Sequence, residues 1–252
     1  MAASSPTEHA SGQTSSTALV TGAASGMGLA VAERFLAEGW TVLGVDRDGD
    51  ALAKAASDLG FAFRPVPVDI TDRAALSTAL DRSHGLSGAT GLRAVVNAAG
   101  IYPPTTLADF DEAAYRRIFD VNVLGTLNTI AETVPALRTA GGGAVVNFAS
   151  IDALAVSPGQ LLYSASKAAV VTLTRSLGVE LAADGITVNA VAPGWVDTPG
   201  TRAGGRIEQA VATIPLGRAA RPEEIADWVW KLCDGSYMTG ETLVISGGLT
   251  VR

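Results

Sequence analysis

Short apolar segments alternate along the chain with longer segments in which apolar residues recur at helical spacing. Six of the apolar segments have the length and composition of buried strands: 17–22 (TALVTG), 41–46 (TVLGVD), 92–100 (LRAVVNAAG), 143–150 (GAVVNFAS), 186–194 (ITVNAVAPG) and 241–248 (ETLVISGG). A seventh segment, 62–69 (AFRPVPVD), is a poorer strand, because Pro65 and Pro67 each lack a backbone donor. It therefore suits the edge of a sheet.

The segments between these strands have the periodicity and the ends of helices. Gly60 ends one of them, and Thr71 is the predicted N-cap of another. Helices are predicted over 27–39, 50–59, 72–83, from about 111 towards 138, over 161–181, for a short stretch within 197–212, and over 221–232. This alternation predicts an α/β fold, in which helices cover both faces of a parallel sheet of about seven strands. Ligands of such sheets bind at the carboxyl ends of the strands.

Length and composition indicate a single globular domain with an N-terminal tail. The chain has 252 residues, of which 48% are hydrophobic, so it can bury a substantial core. The alternating pattern continues without a linker, which predicts one domain over 17–252. Residues 1–16 (MAASSPTEHASGQTSS) have no apolar segment, and we expect them to form a disordered tail.

Charge and residue counts argue against several functions. A net charge of −7 argues against a nucleic-acid binder, which needs a basic surface. No apolar run reaches the roughly 18 residues of a membrane span. One cysteine, Cys233, and two distant histidines predict neither an internal disulfide nor a metal site. A reducing, cytoplasmic location fits this composition.

A glycine-rich turn joins the first strand to the first helix. The segment TGAASGMG (21–28) places Gly22, Gly26 and Gly28 at this junction. Glycines there let the backbone approach a pyrophosphate, and the helix N-terminus supplies partial positive charge. An ordinary tight turn is the alternative reading of the glycines alone, and their position between strand and helix favours a dinucleotide.

Asp46 ends the second strand, 18 residues after Gly28. A carboxylate at that place can accept hydrogen bonds from both ribose hydroxyls of NAD, and it repels the 2′-phosphate of NADP. Arg47 follows immediately and is able to accommodate that phosphate. A turn aspartate without a ligand is the simpler alternative.

Tyr163 and Lys167 stand four residues apart in the helix LLYSASKAAVVTLTRSLGVEL (161–181), so both lie on one helix face. Taken alone, such a pair is usually an amphipathic tyrosine beside a lysine on a solvated face.

Several motifs together resemble the short-chain dehydrogenase/reductase family over 17–252. TGAASGMG is similar to the family's TGxxxGxG turn, and NAAG (97–100) to its element after the fourth strand. Ser150 precedes Tyr163 by 13 residues, and Lys167 completes Y-x-x-x-K. PGWVDT (193–198) resembles PGxxxT, while TGETLVISGG (239–248) has Ser246 where the family usually has aspartate.

The resemblance implies a single-domain Rossmann-type fold, an NAD cofactor and a homotetramer. It implies catalytic roles for Asn122, Ser150, Tyr163 and Lys167, with Asn122 ordering a water that relays protons through Lys167. The residues that it implies for the cofactor are Gly22, Ser25, Gly26, Met27, Gly28, Asp46, Arg47, Asp69, Ile70, Asn97, Ala98, Ala99, Gly100, Tyr163, Lys167, Pro193, Gly194, Val196 and Thr198. Those that it implies for the substrate are Tyr102, Asp152, Ala153, Leu154 and Trp195.

The pair Tyr163 and Lys167 indicates how a proton can be transferred. A free phenol has a pKa of about 10, and a neighbouring ammonium is expected to lower it. Tyr163 can then exchange a proton with an alcohol or ketone. We expect an oxidoreductase for an uncharged, cyclic or aromatic secondary alcohol. The alternatives are an NADP-dependent 3-oxoacyl thioester reductase of the same fold and a non-catalytic dinucleotide sensor, which would be expected to lack Ser150, Tyr163 or Lys167.

Overall fold

The computed structural model describes residues 16–83, 91–155, 157–203, 205, 207–235 and 237–251. The predicted disordered tail, apart from Ser16, lies outside the described residues.

One parallel sheet of seven strands runs through the described part of the chain, in the order β3-β2-β1-β4-β5-β6-β7. The predicted Rossmann-type α/β fold is therefore confirmed. The strands are β1 Thr17–Thr21, β2 Thr41–Asp46, β3 Phe63–Pro67, β4 Leu92–Asn97, β5 Gly143–Phe148, β6 Ile186–Pro193 and β7 Thr242–Ile245. The strand with two prolines, β3, lies at an edge, as predicted. The strand order reverses between β1 and β4: β2 and β3 are added on one side of β1, and β4 and the later strands on the other. Folds of this kind bind ligands at this point.

The helices occupy the predicted segments. They are α1 Gly26–Ala37, α2 Gly49–Leu59, α3 Arg73–Arg82, α4 Glu112–Phe119, α5 Gly125–Thr139, α6 Leu161–Glu180, α7 Pro199–Ala203, α8 Ile207–Val211 and α9 Pro222–Cys233. The prediction that Thr71 caps α3 is wrong. Asp72 is the N-cap, and its Oδ1 accepts a hydrogen bond from the backbone N of Ala75 at 2.9 Å. Both residue types favour this position, so the sequence left the start uncertain by one residue.

The long helix predicted from about 111 to 138 is divided by a wider turn. A π-helical turn, Asp120–Leu124, joins α4 to α5. It places Asn122, which is fully buried, on the side of the sheet that carries the candidate site. Such turns often accompany functional sites, because the extra residue redirects a side chain.

The hydrophobic core forms one layer on each face of the sheet. Helices α1 and α9 cover one face, where Phe35 and Val229 are fully buried. Helices α3 and α5 cover the other face with Leu76 and Leu137, which are also fully buried. Each helix therefore contributes one apolar stripe to the core.

An aromatic cluster joins α1 to α9. The ring centroid of Phe35 lies 5.1 Å from those of Trp40 and Trp230, and each pair meets edge to face. Such pairs add about 0.5–1.5 kcal/mol to the stability gained by burying their area. Phe35 therefore holds α1, the helix that follows the glycine-rich turn, against its neighbour α9.

We expect Phe35→Ala to lower the free energy of unfolding by about 3–5 kcal/mol, because it leaves a cavity among the rings of Trp40 and Trp230. Phe61→Ala is the matched control, since that ring is 98% exposed, and its effect should stay within about 0.5 kcal/mol. Urea unfolding at one fixed protein concentration measures both. Equal effects of the two substitutions would show that the cluster does not secure α1.

Candidate active site

The glycine-rich turn is shaped by close backbone contacts. Gly22 and Gly26 have φ angles of 69° and 56°, a backbone conformation that residues with a side chain rarely adopt. A Cβ on Gly28 would lie 2.1 Å from the carbonyl O of Gly22, so only glycine lets α1 begin this close to β1. Ser25, the N-cap of α1, makes no capping hydrogen bond through its side chain, and the first turn contains no acidic residue. The N-terminus of α1 can therefore hold an anion such as a pyrophosphate.

Asp46 lies beside this turn at the end of β2. Its Oδ2 accepts a hydrogen bond from the backbone N of Ala24 at 3.2 Å, and its Oδ1 accepts one from the backbone N of Asp48 at 3.0 Å. Two backbone donors thus fix the carboxylate in the wall of the cavity. Arg47 lines the same cavity, is exposed, and has no ion pair among the described residues.

A cavity of about 390 Å³ extends from the turn across the switch point of the sheet. Its position, its glycine cradle and its strand-end carboxylate fit a dinucleotide. Thirteen of the residues expected to bind the cofactor line it: Gly22, Ser25, Gly26, Met27, Gly28, Asp46, Arg47, Asp69, Ile70, Ala98, Ala99, Gly100 and Thr198. The cavity is also lined by residues that were not predicted from the sequence: Ala24, at a variable position of the glycine-rich motif, and Val45, Asp48, Ala51, Val68, Ile101, Val121, Pro199 and Gly200.

Asn97 belongs to the sheet and does not line this cavity. It is 3% exposed, and its Nδ2 donates to Oδ1 of Asn147 on β5 at 2.8 Å. Asn147 in turn donates to Thr174 on α6 at 3.0 Å. Asn97 therefore starts a buried polar chain that links β4 through β5 to α6.

A second cavity, of about 420 Å³, adjoins the first, because Met27, Tyr102 and Thr198 line both. Ser150 and Tyr163 lie in its wall together with three expected substrate residues, Tyr102, Asp152 and Trp195. Three residues expected at the cofactor, Pro193, Gly194 and Val196, also lie there.

Two expected substrate residues, Ala153 and Leu154, do not line the second cavity. The chain forms a 3₁₀ turn over Ile151–Ala153, and the Leu154 side chain after it is 53% exposed. The segment before α6 and the region around α7 and α8 also contribute to the wall of this cavity, which the sequence did not predict. These lining residues are Ala149, Ile151, Ser157, Pro158, Gln160, Thr201, Gln209, Ala210 and Thr213. Their segments are short and aperiodic, so no sequence pattern identifies them.

Three candidate catalytic side chains meet where β5 ends and α6 begins. The Ser150 hydroxyl lies beside the Tyr163 phenol and acts to lower its pKa, and the Ser150 Oγ accepts a hydrogen bond from the backbone N of Asp152 at 3.1 Å. Lys167 lies one turn after Tyr163 on α6, and its Nζ donates to the carbonyl O of Phe148 at 2.6 Å. The ammonium is 5.8 Å from the centroid of the Tyr163 ring. This arrangement joins the helix to the end of β5.

Asn122 is held by hydrogen bonds of its own. Its Oδ1 accepts from the backbone N of Ile101 at 2.9 Å, and its Nδ2 donates to the carbonyl O of Ile101 at 2.9 Å and to Oγ of Ser166 at 3.0 Å. The side chain therefore fixes the strand-end segment beside Gly100. The water relay implied by the family resemblance stays a prediction, and the amide of Asn122 acts here as a positioning group.

The prediction that Lys167 lowers the pKa of Tyr163 is wrong for this arrangement. Burial raises the pKa of the Tyr163 phenol, the hydrogen bond with Ser150 acts in the opposite direction, and the Asp152 carboxylate raises the pKa further. Burial also lowers the pKa of the Lys167 ammonium to about 8. Its Nζ is bound to the Phe148 carbonyl and lies over the ring of Tyr163, so the spacing in sequence does not bring it to the phenol oxygen.

Known proteins resemble this chain over nearly its whole length. A family model described as enoyl-(acyl carrier protein) reductase matches residues 22–250. A solved structure described as a short chain dehydrogenase/reductase family protein superposes with a TM-score of 0.85 at 37% identity, covering 94% of this chain and 98% of that one. The chain belongs to the short-chain dehydrogenase/reductase family.

Individual members of the family differ in their activities. The 3-oxoacyl-[acyl-carrier-protein] reductase FabG of Thermotoga maritima is 36% identical over 240 residues, covering 92% of this chain and 97% of that protein. The cis-4-hydroxycyclohexanecarboxylate dehydrogenase of Sinomonas cyclohexanicum is 39% identical over 241 residues, covering 92% and 96%. The 3-ketoacyl-(acyl-carrier-protein) reductase of Brucella melitensis, complexed with NADH, superposes with a TM-score of 0.87 at 30% identity, covering 93% and 98%. This chain is accordingly an oxidoreductase of a family that uses a nicotinamide dinucleotide.

The lowered pKa of Lys167 predicts a stability difference that depends on pH. Between about pH 8 and the ordinary pKa of 10.5, the unfolded chain binds a proton at Lys167 that the folded chain does not. Folding is therefore favoured increasingly as pH rises through this window. We expect the wild type to gain about 3 kcal/mol of stability relative to Lys167→Met from pH 8 to 10.5.

Urea unfolding at several pH values measures this difference. Lys54→Met is the matched control, because the Lys54 side chain is 80% exposed and should show no such gain over the same range. If the stability difference between wild type and Lys167→Met does not change with pH, the ammonium is not destabilised by burial.

Proposed function

We propose that this oxidoreductase transfers a hydride between NAD(H) and an uncharged, cyclic secondary alcohol or its ketone. The observation that carries the proposal is that Ser150 and Tyr163 lie side by side in the wall of a cavity that adjoins the candidate dinucleotide cavity. Two hydroxyls at this junction can hold the oxygen of an alcohol while its carbon faces the cofactor.

The chain's own residues supply binding and proton transfer. Ser150 holds the alcohol oxygen by a hydrogen bond, and Tyr163 gives its proton to a ketone during reduction or, as the phenolate, takes the hydroxyl proton during oxidation. NAD, when bound, would supply the hydride acceptor and a positive charge. Because burial raises the pKa of Tyr163, the phenol stays protonated at neutral pH in the free protein and is ready to act as an acid towards a ketone.

The preference for NAD rests on the Asp46 carboxylate. A 2′-phosphate would bring negative charge towards a carboxylate that two backbone donors already hold in place. One unit-charge contact of this kind at 4 Å, with an effective dielectric constant of about 20, costs on the order of 4 kcal/mol. The Brucella melitensis relative complexed with NADH supports the same preference.

The preference for an uncharged ring rests on the second cavity. Ile151, Pro158, Trp195 and Val196 supply apolar wall, and the described lining residues include no lysine or arginine. Asp152 would repel a carboxylate in the same space. The Sinomonas relative is named for cis-4-hydroxycyclohexanecarboxylate, which supports a ring in the substrate but carries a carboxylate that Asp152 would disfavour in this cavity.

A second candidate is an NADP-dependent 3-oxoacyl thioester reductase. It is favoured by Arg47, which is exposed at the wall of the cofactor cavity, and by the similarity to FabG of Thermotoga maritima. Arg47 compensates the repulsion from Asp46 only where its guanidinium reaches the 2′-phosphate. A non-catalytic sensor is disfavoured, because Ser150, Tyr163 and Lys167 are all present.

Assembly and location remain expectations. We expect a cytoplasmic protein. We also expect a homotetramer, because Tyr115 on α4, Leu124 at the end of the π-helical turn and Leu161 on α6 expose apolar surface that a neighbouring subunit can cover. None of the described helices is long and apolar enough to cross a membrane. Within the described ranges, no cluster of three histidine, cysteine or acidic residues is arranged to hold a metal ion.

Tyr163→Phe should keep NAD binding and lower turnover by about 10²–10⁴-fold, because only the proton-transferring hydroxyl is removed. Tyr237→Phe makes the same chemical change at a fully exposed tyrosine and is the matched control. Turnover is followed at the nicotinamide absorbance band with a cyclic secondary alcohol, and NAD binding by calorimetry. Turnover of Tyr163→Phe within threefold of wild type would remove Tyr163 from the proton transfer.

The cofactor preference gives a second test. We expect kcat/KM with NAD to exceed kcat/KM with NADP by at least about tenfold, which equals roughly 1.4 kcal/mol. Asp46→Ser should shrink this ratio, because the repelling carboxylate is gone. Asp50→Ser is the control, since it removes the same charge from an exposed residue of α2 outside the cavity.

Both cofactors are assayed with one substrate at one ionic strength, because salt screens the repulsion. Equal efficiencies, or a preference of the wild type for NADP, would favour the thioester reductase.

A further inference from the structure

The cofactor cavity and the second cavity meet at an opening that is bordered by Met27, Tyr102 and Thr198, since these residues line both cavities. Tyr102 lies in the segment after β4, and its ring meets the ring of Tyr163 edge to face, with 5.9 Å between the centroids. A substrate carbon that exchanges a hydride with the nicotinamide must reach it through this opening. Tyr102 therefore lies beside the path along which the reacting atoms meet.

Helix α7 approaches Tyr102 closely at Gly200. A Cβ built on Gly200 would overlap the hydroxyl O of Tyr102 and would lie 3.4 Å from Cζ of the same ring. Gly200 is exposed and its φ angle lies outside the left-handed region, so neither core packing nor backbone conformation requires glycine there. Glycine also lowers the stability of a helix. What glycine provides at this position is room for the Tyr102 hydroxyl.

The start of α7 is anchored to the segment that precedes it. The Thr201 hydroxyl donates a hydrogen bond to the carbonyl O of Val196 at 2.7 Å, and it accepts one from the backbone N of Thr198 at 3.0 Å. These bonds hold the backbone of α7 in place beside the opening. A side chain added at Gly200 would therefore press on Tyr102 from a fixed position.

The side chain of Tyr102 is the part of this contact that can move. Its hydroxyl makes no hydrogen bond to another described residue, and the free space beside its ring belongs to the two cavities. Pressure from the side of α7 would therefore push the ring into the opening and narrow it.

We propose that Tyr102 determines the size of the alcohols that react, and that its contact with Gly200 keeps the opening wide enough for a six-membered ring. The inference deepens the proposed function and rests on it. The contact takes no part in hydride or proton transfer, and it changes only which carbinol carbons can approach the nicotinamide. A misplacement of about 1 Å can lower a rate about a hundredfold, so a small movement of the ring is enough.

The width of the opening is measured by the ratio of kcat/KM for cyclohexanol to kcat/KM for propan-2-ol, both with NAD. Both compounds are uncharged secondary alcohols, and they differ in width. Gly200→Ala should lower this ratio by at least about tenfold in the wild-type background, because the displaced ring obstructs the wider alcohol. Because the readout is a ratio within one variant, a general loss of folding or activity does not imitate it.

Tyr102→Phe provides the matched background for the same substitution. It removes only the atom that the added Cβ would overlap, and the remaining distance of 3.4 Å to Cζ is an ordinary van der Waals contact. In the Tyr102→Phe background, Gly200→Ala should therefore change the ratio by less than about threefold.

Gly49→Ala controls for the exchange of glycine for alanine at the start of a helix. Gly49 begins α2, its φ angle lies outside the left-handed region, and an added Cβ would meet only Cβ of Pro67, at 3.6 Å. This substitution should leave the ratio as in wild type.

Tyr102→Ala tests the size limit from the opposite direction. Removal of the ring widens the opening, so kcat/KM for the bicyclic alcohol 2-decalol, relative to cyclohexanol, should rise by at least about tenfold over wild type. An unchanged ratio would show that the ring does not limit the size of the substrate.

The outcomes separate this inference from the proposed function. Oxidation of cyclohexanol with the same ratio in wild type and Gly200→Ala would contradict the inference while supporting an NAD-dependent alcohol dehydrogenase. An equal effect of Gly200→Ala in both backgrounds would show that α7 acts without Tyr102, and would overturn the inference. Absence of NADH formation with every alcohol would contradict both.

Discussion

The hydrogen bond from Lys167 to the carbonyl of Phe148 ties the candidate active site to the sheet. It joins α6, which carries Tyr163, to the end of β5, which leads to Ser150. An ammonium in a buried place is destabilised, and its pKa of about 8 records that loss. The fold accepts this loss where α6 is held in register with the end of β5.

Further polar contacts fix the same junction from other directions. Hydrogen bonds from Asn97 to Asn147 and from Asn147 to Thr174 connect β4 and β5 to α6. The π-helical turn brings Asn122 into hydrogen-bond contact with Ile101, which follows β4, and with Ser166 on α6. Hydrogen-bond networks of this kind favour one arrangement of the elements that they join, so the positions of Tyr163 and Ser150 depend on side chains that do not line either cavity.

The sequence predicts the parts of this molecule that follow from periodicity and from glycine geometry. The seven strands, the edge position of the strand with two prolines, and the cradle formed by Gly22 and Gly28 all follow from local patterns. Depth of burial does not, because it depends on what the whole chain packs around a residue. The spacing of Tyr163 and Lys167 therefore located the pair correctly and gave the wrong direction for the pKa of the phenol. Gln160 and the residues around α7 and α8 were missed for a related reason, since short aperiodic segments enter a cavity only through the tertiary fold.

The central claim is that the carbon of a secondary alcohol held by Ser150 and Tyr163 gives its hydride directly to the nicotinamide. Cyclohexanol deuterated at its carbinol carbon, incubated with NAD and the wild-type protein, tests this by mass spectrometry of the reduced cofactor. The account predicts one deuterium in each molecule of NADH formed, together with a normal hydrogen on the cofactor when the solvent alone is deuterated. NADH that takes its hydrogen from the solvent, or an absence of NADH with every secondary alcohol offered, would contradict the account.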